Sequence, residues 1–219
     1  MKELFDYLII LHVGGGTAGL IAGGIAASVK KGSKPHLVSG KIFFYAMLLA
    51  SLSALVISRL PMHGNIFLFA VGGFTLYMIL TGWRVVLVKR SLKKQLAQNR
   101  WIDYVIALFG AGFAVFLLMQ SVQRLVGGDI FGLVPGAFGL VSLNYARMDY
   151  EWISGKKKIQ QAWMRNHIVR MMGAMIASYT AFLVVNVQIQ QQWILWLLPG
   201  LIGGILIGRF LKKYSPRKQ

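Results

Sequence analysis

Residues 4–29 read LFDYLIILHVGGGTAGLIAGGIAASV, an apolar run interrupted by a single aspartate and a single histidine. It has neither the polar face of an amphipathic helix nor the alternation of a half-buried strand. About 20 helical residues rising 1.5 Å each cross a hydrocarbon core of about 30 Å, so this run is long enough to span. It stops at KKGSKPH, residues 30–36, and the same pattern then repeats. Apolar blocks cover 35–60, 66–88, 102–126, 130–146, 167–187 and 193–211. A chain inside a bilayer must satisfy its own backbone hydrogen bonds, and long apolar blocks do so as helices. The expected fold is all-α: one integral membrane bundle over residues 1–219, with seven transmembrane helices.

Composition agrees. Of 219 residues, 56% are hydrophobic and only 14% charged, against about 25% charged in an ordinary soluble domain. Mean hydropathy is +0.60. The net charge of +18 would suggest a nucleic-acid partner in a soluble protein. Here the cations sit in the short segments between apolar blocks, where they orient the chain and attract anionic headgroups, so nucleic acid is set aside. There is no cysteine, which excludes disulfides, thiolate metal sites and a cysteine nucleophile. The N-terminus lacks a basic n-region and a cleavage site before Lys30, so the first block reads as a retained helix.

Counting Lys and Arg on alternate sides gives the orientation. With the N-terminus outside, 21 of 24 fall inside, and only Lys2, Arg59 and Arg124 remain outside. The positive-inside rule then places the C-terminus in the cytoplasm and the protein in the inner, cytoplasmic membrane, its partners including anionic inner-leaflet headgroups. Block 130–146 is the weakest, with Pro135 and three glycines, and a re-entrant segment is the alternative. Without that crossing, the last two helices would invert and put two basic segments outside, so spanning is expected. Within 150–166, Trp152, Ile153, Ile159 and Trp163 suggest an interfacial helix beside Lys156, Lys157 and Lys158, the alternative being a basic loop.

Two glycine rows at four-residue spacing stand out: Gly15, Gly19 and Gly23 in the first block, and Gly200, Gly204 and Gly208 in the last. Such rows let helix backbones approach closely. Packing within the bundle is the first reading, and a homo-oligomer through glycine-rich faces the second. Neither row is a phosphate loop, because no strand precedes it and no Lys-Ser/Thr follows.

All four histidines lie near expected membrane boundaries, His12 and His63 toward the outside, His36 and His167 toward the inside. Two histidine pairs at opposite faces match a two-haem, b-type electron-transfer bundle, in which each iron takes two axial imidazoles. Gly16 and Gly40 follow His12 and His36 by one turn, leaving room for a flat macrocycle. A ruler limits the idea: His36 and His63 are 27 residues apart, about 40 Å along a helix, so both cannot be buried. A single inner or outer haem or metal site is the reduced form, and helix capping or headgroup contact is the alternative for His36 and His63. Arg170 with Asp149 or Glu151 forms a candidate inner polar cluster.

Several chemistries are excluded or disfavoured. No carboxylate lies mid-block, which weighs against a carrier coupled through a buried acid. The last block has no lysine for a retinal Schiff base, and there is no GxSxG motif. Ser51, Ser53, Thr75, Thr81, Ser178, Thr180 and Asn186 are expected to bond the preceding turn or bridge helices.

LHVGGGTAGLIAGGIAASVKKGSKPHLVSGKIFF, residues 11–44, and HIVRMMGAMIASYTAFLVVN, residues 167–186, resemble segments of an uncharacterised family of predicted bacterial multi-pass membrane proteins that carry a domain of unknown function. The shared elements are His12 with its glycines, the Lys31-Gly32 turn, His36 with Gly40, and the His167, Arg170, Met171 group, in segments spanning about a quarter of the chain. The resemblance implies a multi-helix membrane protein and brings no activity. This chain has Leu37 where the family often places arginine. The leading functional expectation is a redox membrane protein binding haem or a metal through His12, His36, His167 and His63. The alternatives are a transporter of a small or lipid-like molecule, for which a polar cavity between helices would speak, and a non-catalytic accessory or assembly factor.

Overall fold

A computed structural model of the chain describes residues 2–61, 63–93, 100–156 and 159–214. Seven helices follow one another: α1 (Lys2–Ser28), α2 (Lys34–Ile57), α3 (Ile66–Lys93), α4 (Arg100–Val126), α5 (Leu133–Ile153), α6 (Ile159–Asn186) and α7 (Gln192–Tyr214). A single 3-10 turn, Ile130–Gly132, leads into α5, and no strand occurs among the described residues. Each apolar block became a helix. All but α5 are long and apolar enough to cross a membrane. Of the basic segments, Lys94, Lys157, Lys158, Arg217 and Lys218 lie outside the described residues.

Helix α5 runs the length of α4 in the opposite direction. At one end Arg100 Nη1 donates to Ile153 O at 3.0 Å. At the other, Gly136 packs against Ser121, and Gly139 sits between them against Leu118. The weakest block is thus part of a continuous helix of 21 residues, about 32 Å long, without an internal reversal. It is less apolar than the other six because its last two turns carry Arg147, Asp149 and Glu151. Of the segment 150–166, residues through Ile153 close α5 and those from Ile159 open α6, with Gly155 in the left-handed region (φ 81°) reversing the chain between them.

Helix α3 is central. It packs against α2, α4, α5 and α6, and its Tyr77, Met78 and Ile79 are fully buried. The outside of the bundle is apolar: Leu108, Leu201 and Ile205 are 74%, 69% and 62% exposed. Water would not tolerate such a surface without aggregation, whereas hydrocarbon matches it. The hydroxyls of Ser53, Thr81, Ser178 and Thr180 donate to carbonyls one turn back, as does the Asn186 amide. Ser51 and Thr75 are buried without a hydrogen-bond partner.

The described basic residues that follow α1 and α5 and those late in α3 and α7 share one end of the bundle, here called the basic end. There Lys31 lies over Phe210 and Lys89 over Trp163. At the opposite end Arg59 covers Phe69 and Arg124 covers Phe67, while Phe67, Phe131 and Trp196 interlock. Arg124 also pairs with Asp129 at 2.7 Å. The Phe131 N–H and then this arginine hold the Asp129 carboxyl below its ordinary pKa.

The two glycine rows part company. A Cβ on Gly15 would meet Ala46 O at 2.9 Å, one on Gly19 would overlap Met47, and one on Gly23 would press on Phe43. The first row is the seam between α1 and α2. Gly200, Gly204 and Gly208 face open space instead, and the packing glycine of α7 is Gly203, seated against Ile176. Replacing Gly15 by Ala sets a methyl against backbone that cannot rotate away and should cost about 1–3 kcal/mol. Gly14→Ala, whose methyl meets nothing, should leave stability unchanged. Unfolding in mixed detergent micelles would register the difference, and equal melting of the two variants would contradict the seam.

Candidate functional site

Among the described residues the most deeply buried charge is Arg170 on α6, with no solvent exposure. Its Nη2 donates to Asp149 Oδ1 at 2.6 Å and to Tyr145 O at 2.9 Å, both on α5. Tyr77 on α3 donates its hydroxyl to Asp149 Oδ2 at 2.5 Å, and Trp152 Nε1 donates to Oδ1 at 3.3 Å. The Tyr145 and Tyr77 rings lie 4.2 and 5.4 Å from the guanidinium carbon. Nε and Nη1 of Arg170 make no hydrogen bond. A buried charge is tolerated only when paired and hydrogen-bonded, and Asp149 supplies both conditions. Burial of Arg170 needs a gap in α3: Gly82 provides it, since a Cβ there would stand 2.9 Å from Arg170 Cβ.

A second pair lies nearby. Arg84 on α3 reaches Asp103 on α4 through Nε at 2.5 Å and Nη2 at 3.2 Å, and Asp103 is buried. Glu151 shares the expected inner face with Arg170. Its carboxylate instead faces Arg147 at 3.4 Å, one turn earlier on α5, because residues 149 and 151 point to different sides of a helix. Tyr77, Trp152 and the Arg84–Asp103 pair escaped the sequence reading. A usable signal existed for the pair: one rare acid and one arginine at the same end of consecutive apolar blocks. Both buried acids, Asp103 and Asp149, are paired with arginine.

One turn before Arg170, His167 donates Nδ1–H to Gly82 O at 3.0 Å. His36, in the first turn of α2 behind the Ser33 cap, donates Nδ1–H to Ala26 O at 3.0 Å. A carbonyl can only accept, so Nδ1 carries the proton in both rings and Nε2 keeps its lone pair. The two rings stand edge to face, 6.5 Å between centroids and 82° between planes. They line a cavity of about 480 Å³ at the basic end. Gly23, Ala26 and Ala27 of α1, Gly40 of α2, Trp83 of α3, Phe210 of α7 and four methionines of α6 (Met164, Met171, Met172, Met175) form most of the rest. Lys31, Lys41, Lys89 and Arg90 also line it. Gly40, where an added Cβ meets nothing, keeps the turn after His36 clear.

The other two histidines do not repeat this arrangement. His12 donates Nδ1–H to Ala50 O at 2.9 Å, stitching α1 to α2 beside Gly15. His63 is exposed in the α2–α3 turn, its ring stacked at 3.8 Å on Phe5. Thus the inner pair converges, the outer pair has separate partners, and His36 and His63 stand at opposite ends of α2. Among the described residues no group of three His, Cys, Asp or Glu is gathered for a metal ion.

Removing one partner of a buried ion pair strands the other. Arg170→Met should destabilise the bundle by about 3–5 kcal/mol, while the quadruple variant Arg170→Met, Asp149→Leu, Tyr77→Phe, Trp152→Phe, which removes every side-chain polar group of the network, should recover most of the loss. Detergent-resistance melts of both would decide it; a single variant as stable as the parent would contradict the network. Comparison of the chain with protein-family models, with curated proteins and with solved structures gives no match.

Proposed function

We propose that this polytopic membrane protein binds one b-type haem at its basic end, between His36 and His167, and serves one-electron transfer at the cytoplasmic face. The observation that carries the reading is the disposition of the two imidazoles. The rings of His36 and His167 stand 6.5 Å apart with Nε2 outside their backbone hydrogen bonds, so these two residues would hold one metal between them. Each ring also gives its other N–H to a backbone carbonyl, the outer-shell bond that metal-bound histidines usually make.

Ligand number favours haem over a bare ion. Two imidazoles with no third convergent ligand among the described residues would hold an ion poorly. Haem iron brings four equatorial nitrogens and asks the protein for two axial ligands. The cavity falls within the range of about 300–1,000 Å³ usual for cofactor sites, and its lining is mostly apolar. Transport is supported less well. A path would have to continue toward the opposite end, where Met47, Phe74, Met78, Phe113 and Leu117 fill the space between helices.

Titration of the purified protein with haem should give a sharpened Soret band and, on reduction, the α band of a low-spin, bis-imidazole iron. His36→Ala and His167→Ala should each abolish that spectrum, whereas His12→Ala and His63→Ala should retain it. No spectral change, or equal spectra from all four variants, would sink the proposal.

The orientation belongs to the same reading, with the N-terminus outside and the basic end cytoplasmic, on the strength of the charge count. The absence of cysteine provides a clean background for labelling. Gly64→Cys, in the exposed α2–α3 turn, should react with an impermeant maleimide from outside intact cells, and Lys156→Cys only after lysis. The reverse pattern would invert the protein.

A further inference from the structure

We infer that the border of the His36/His167 cavity is an anion site and that its ligand is an acidic amphiphile, with an apolar body inside and carboxylate or phosphate held by Lys31, Lys41 and Arg90. The inference rests on reading the cavity as a ligand site and specifies what that ligand must carry.

Lys31 is the fixed member. Its ammonium donates to Ala27 O at 2.6 Å, Ala26 O at 2.9 Å and Val29 O at 3.3 Å, capping the C-terminus of α1. Ala26 O also accepts from His36 Nδ1, so the cation is held beside the imidazole by a shared acceptor. Carbonyls offer partial charge only. Burial, and after it the neighbouring Lys213, lower the Lys31 pKa, and its hydrogen bonds are all to carbonyls. Lys41, five residues after His36 on α2, and Arg90 on α3 stand exposed at the border of the same space.

The chain has only six acidic residues, and all can be placed. Asp103, Asp129, Asp149 and Glu151 each face an arginine outside the cavity. Glu3 and Asp6 lie in the first two turns of α1, about 30 Å along the helix from Ala26. None of the six lines the cavity. An apolar space bordered by cations, with no side-chain carboxylate of its own, is complementary to a molecule that is apolar at one end and anionic at the other. Snorkelling to headgroups would explain Lys41 and Arg90 alone. Lys31, half-buried and tied to the acceptor of His36, is fixed by the C-terminus of α1 and not by headgroups.

Haem, with two propionates, and an anionic phospholipid share this chemistry, and the full-length protein in neutral detergent distinguishes them. Haem and its dimethyl ester are titrated by Soret absorbance, and retention of phosphatidylglycerol against phosphatidylcholine is read by native mass spectrometry. The test variant is the double substitution Lys41→Gln, Arg90→Gln, at exposed positions that the fold does not depend on; Lys34→Gln, outside the cavity lining, is the control. Haem should bind about tenfold more tightly than the diester, and the double variant, unlike the control, should lose that preference. If no haem binds but phosphatidylglycerol is retained with the same variant dependence, the anion site stands and the haem reading falls. If haem and diester bind alike to parent and variant, haem stands and the anion site is overturned. If no haem binds and the two lipids are retained alike, both readings fall.

Discussion

The ion pair between Arg170 and Asp149 is the constraint around which the bundle is arranged. A guanidinium with no solvent exposure would be prohibitively costly in this interior without its carboxylate, and that carboxylate is saturated by Tyr77, Trp152 and Arg170 together. Satisfying the network requires α3, α5 and α6 to meet at one level, and the approach of α6 to α3 requires Gly82. His167 precedes Arg170 by three residues and so shares its side of α6. Its bond to Gly82 O is a consequence of the same approach, and so is the direction in which its free nitrogen is presented. The candidate site is thus held by a polar network that does not itself line the cavity.

Elsewhere the helices associate through close contact. Hydrocarbon offers no hydrophobic drive to bring apolar helices together, so dispersion and backbone proximity must supply it. The seam between α1 and α2 does this with Gly15, Gly19 and Gly23 facing Ala46, Met47 and Phe43. The same seam ends at the basic end, where Gly40 faces nothing, Ala26 and Ala27 are small, and the facing residues of α6 are methionines. Close packing gives way there to a cavity, walled by flexible thioethers able to adapt to a ligand. Cations collect at its border while the chain's few acids are engaged elsewhere.

The helices were legible as apolar blocks, but their lengths were not. Block 66–88 became a helix reaching Lys93, block 130–146 one reaching Ile153, and block 167–187 one beginning at Ile159. Hydropathy measures the part of a helix that matches hydrocarbon, whereas backbone hydrogen bonding continues into the polar layer for as long as side chains permit. Those overruns carry part of the polar network and of the cavity lining: Asp149, Trp152, Trp163 and Lys89 all lie beyond the apolar blocks. The sequence places no carboxylate inside an apolar block, yet Asp103 and Asp149 are buried, because neighbouring helices extend past them and enclose them.

Block length and charge distribution in the sequence determined that this is an all-α membrane bundle, and placed the histidines at its two ends, because hydrocarbon thickness and backbone self-satisfaction leave few alternatives. Tertiary structure alone decided which histidines meet. His36 and His167 are 131 residues apart in the chain and face each other, whereas His12 and His63 take Ala50 O and Phe5 as their partners. It also decided that one glycine row is a seam and the other an open face, and that Asp149, not Glu151, receives Arg170. Each of these depends on the rotation of a helix about its own axis and on the neighbour it meets. With apolar residues on nearly every side of these helices, the sequence periodicity that would reveal that rotation is absent.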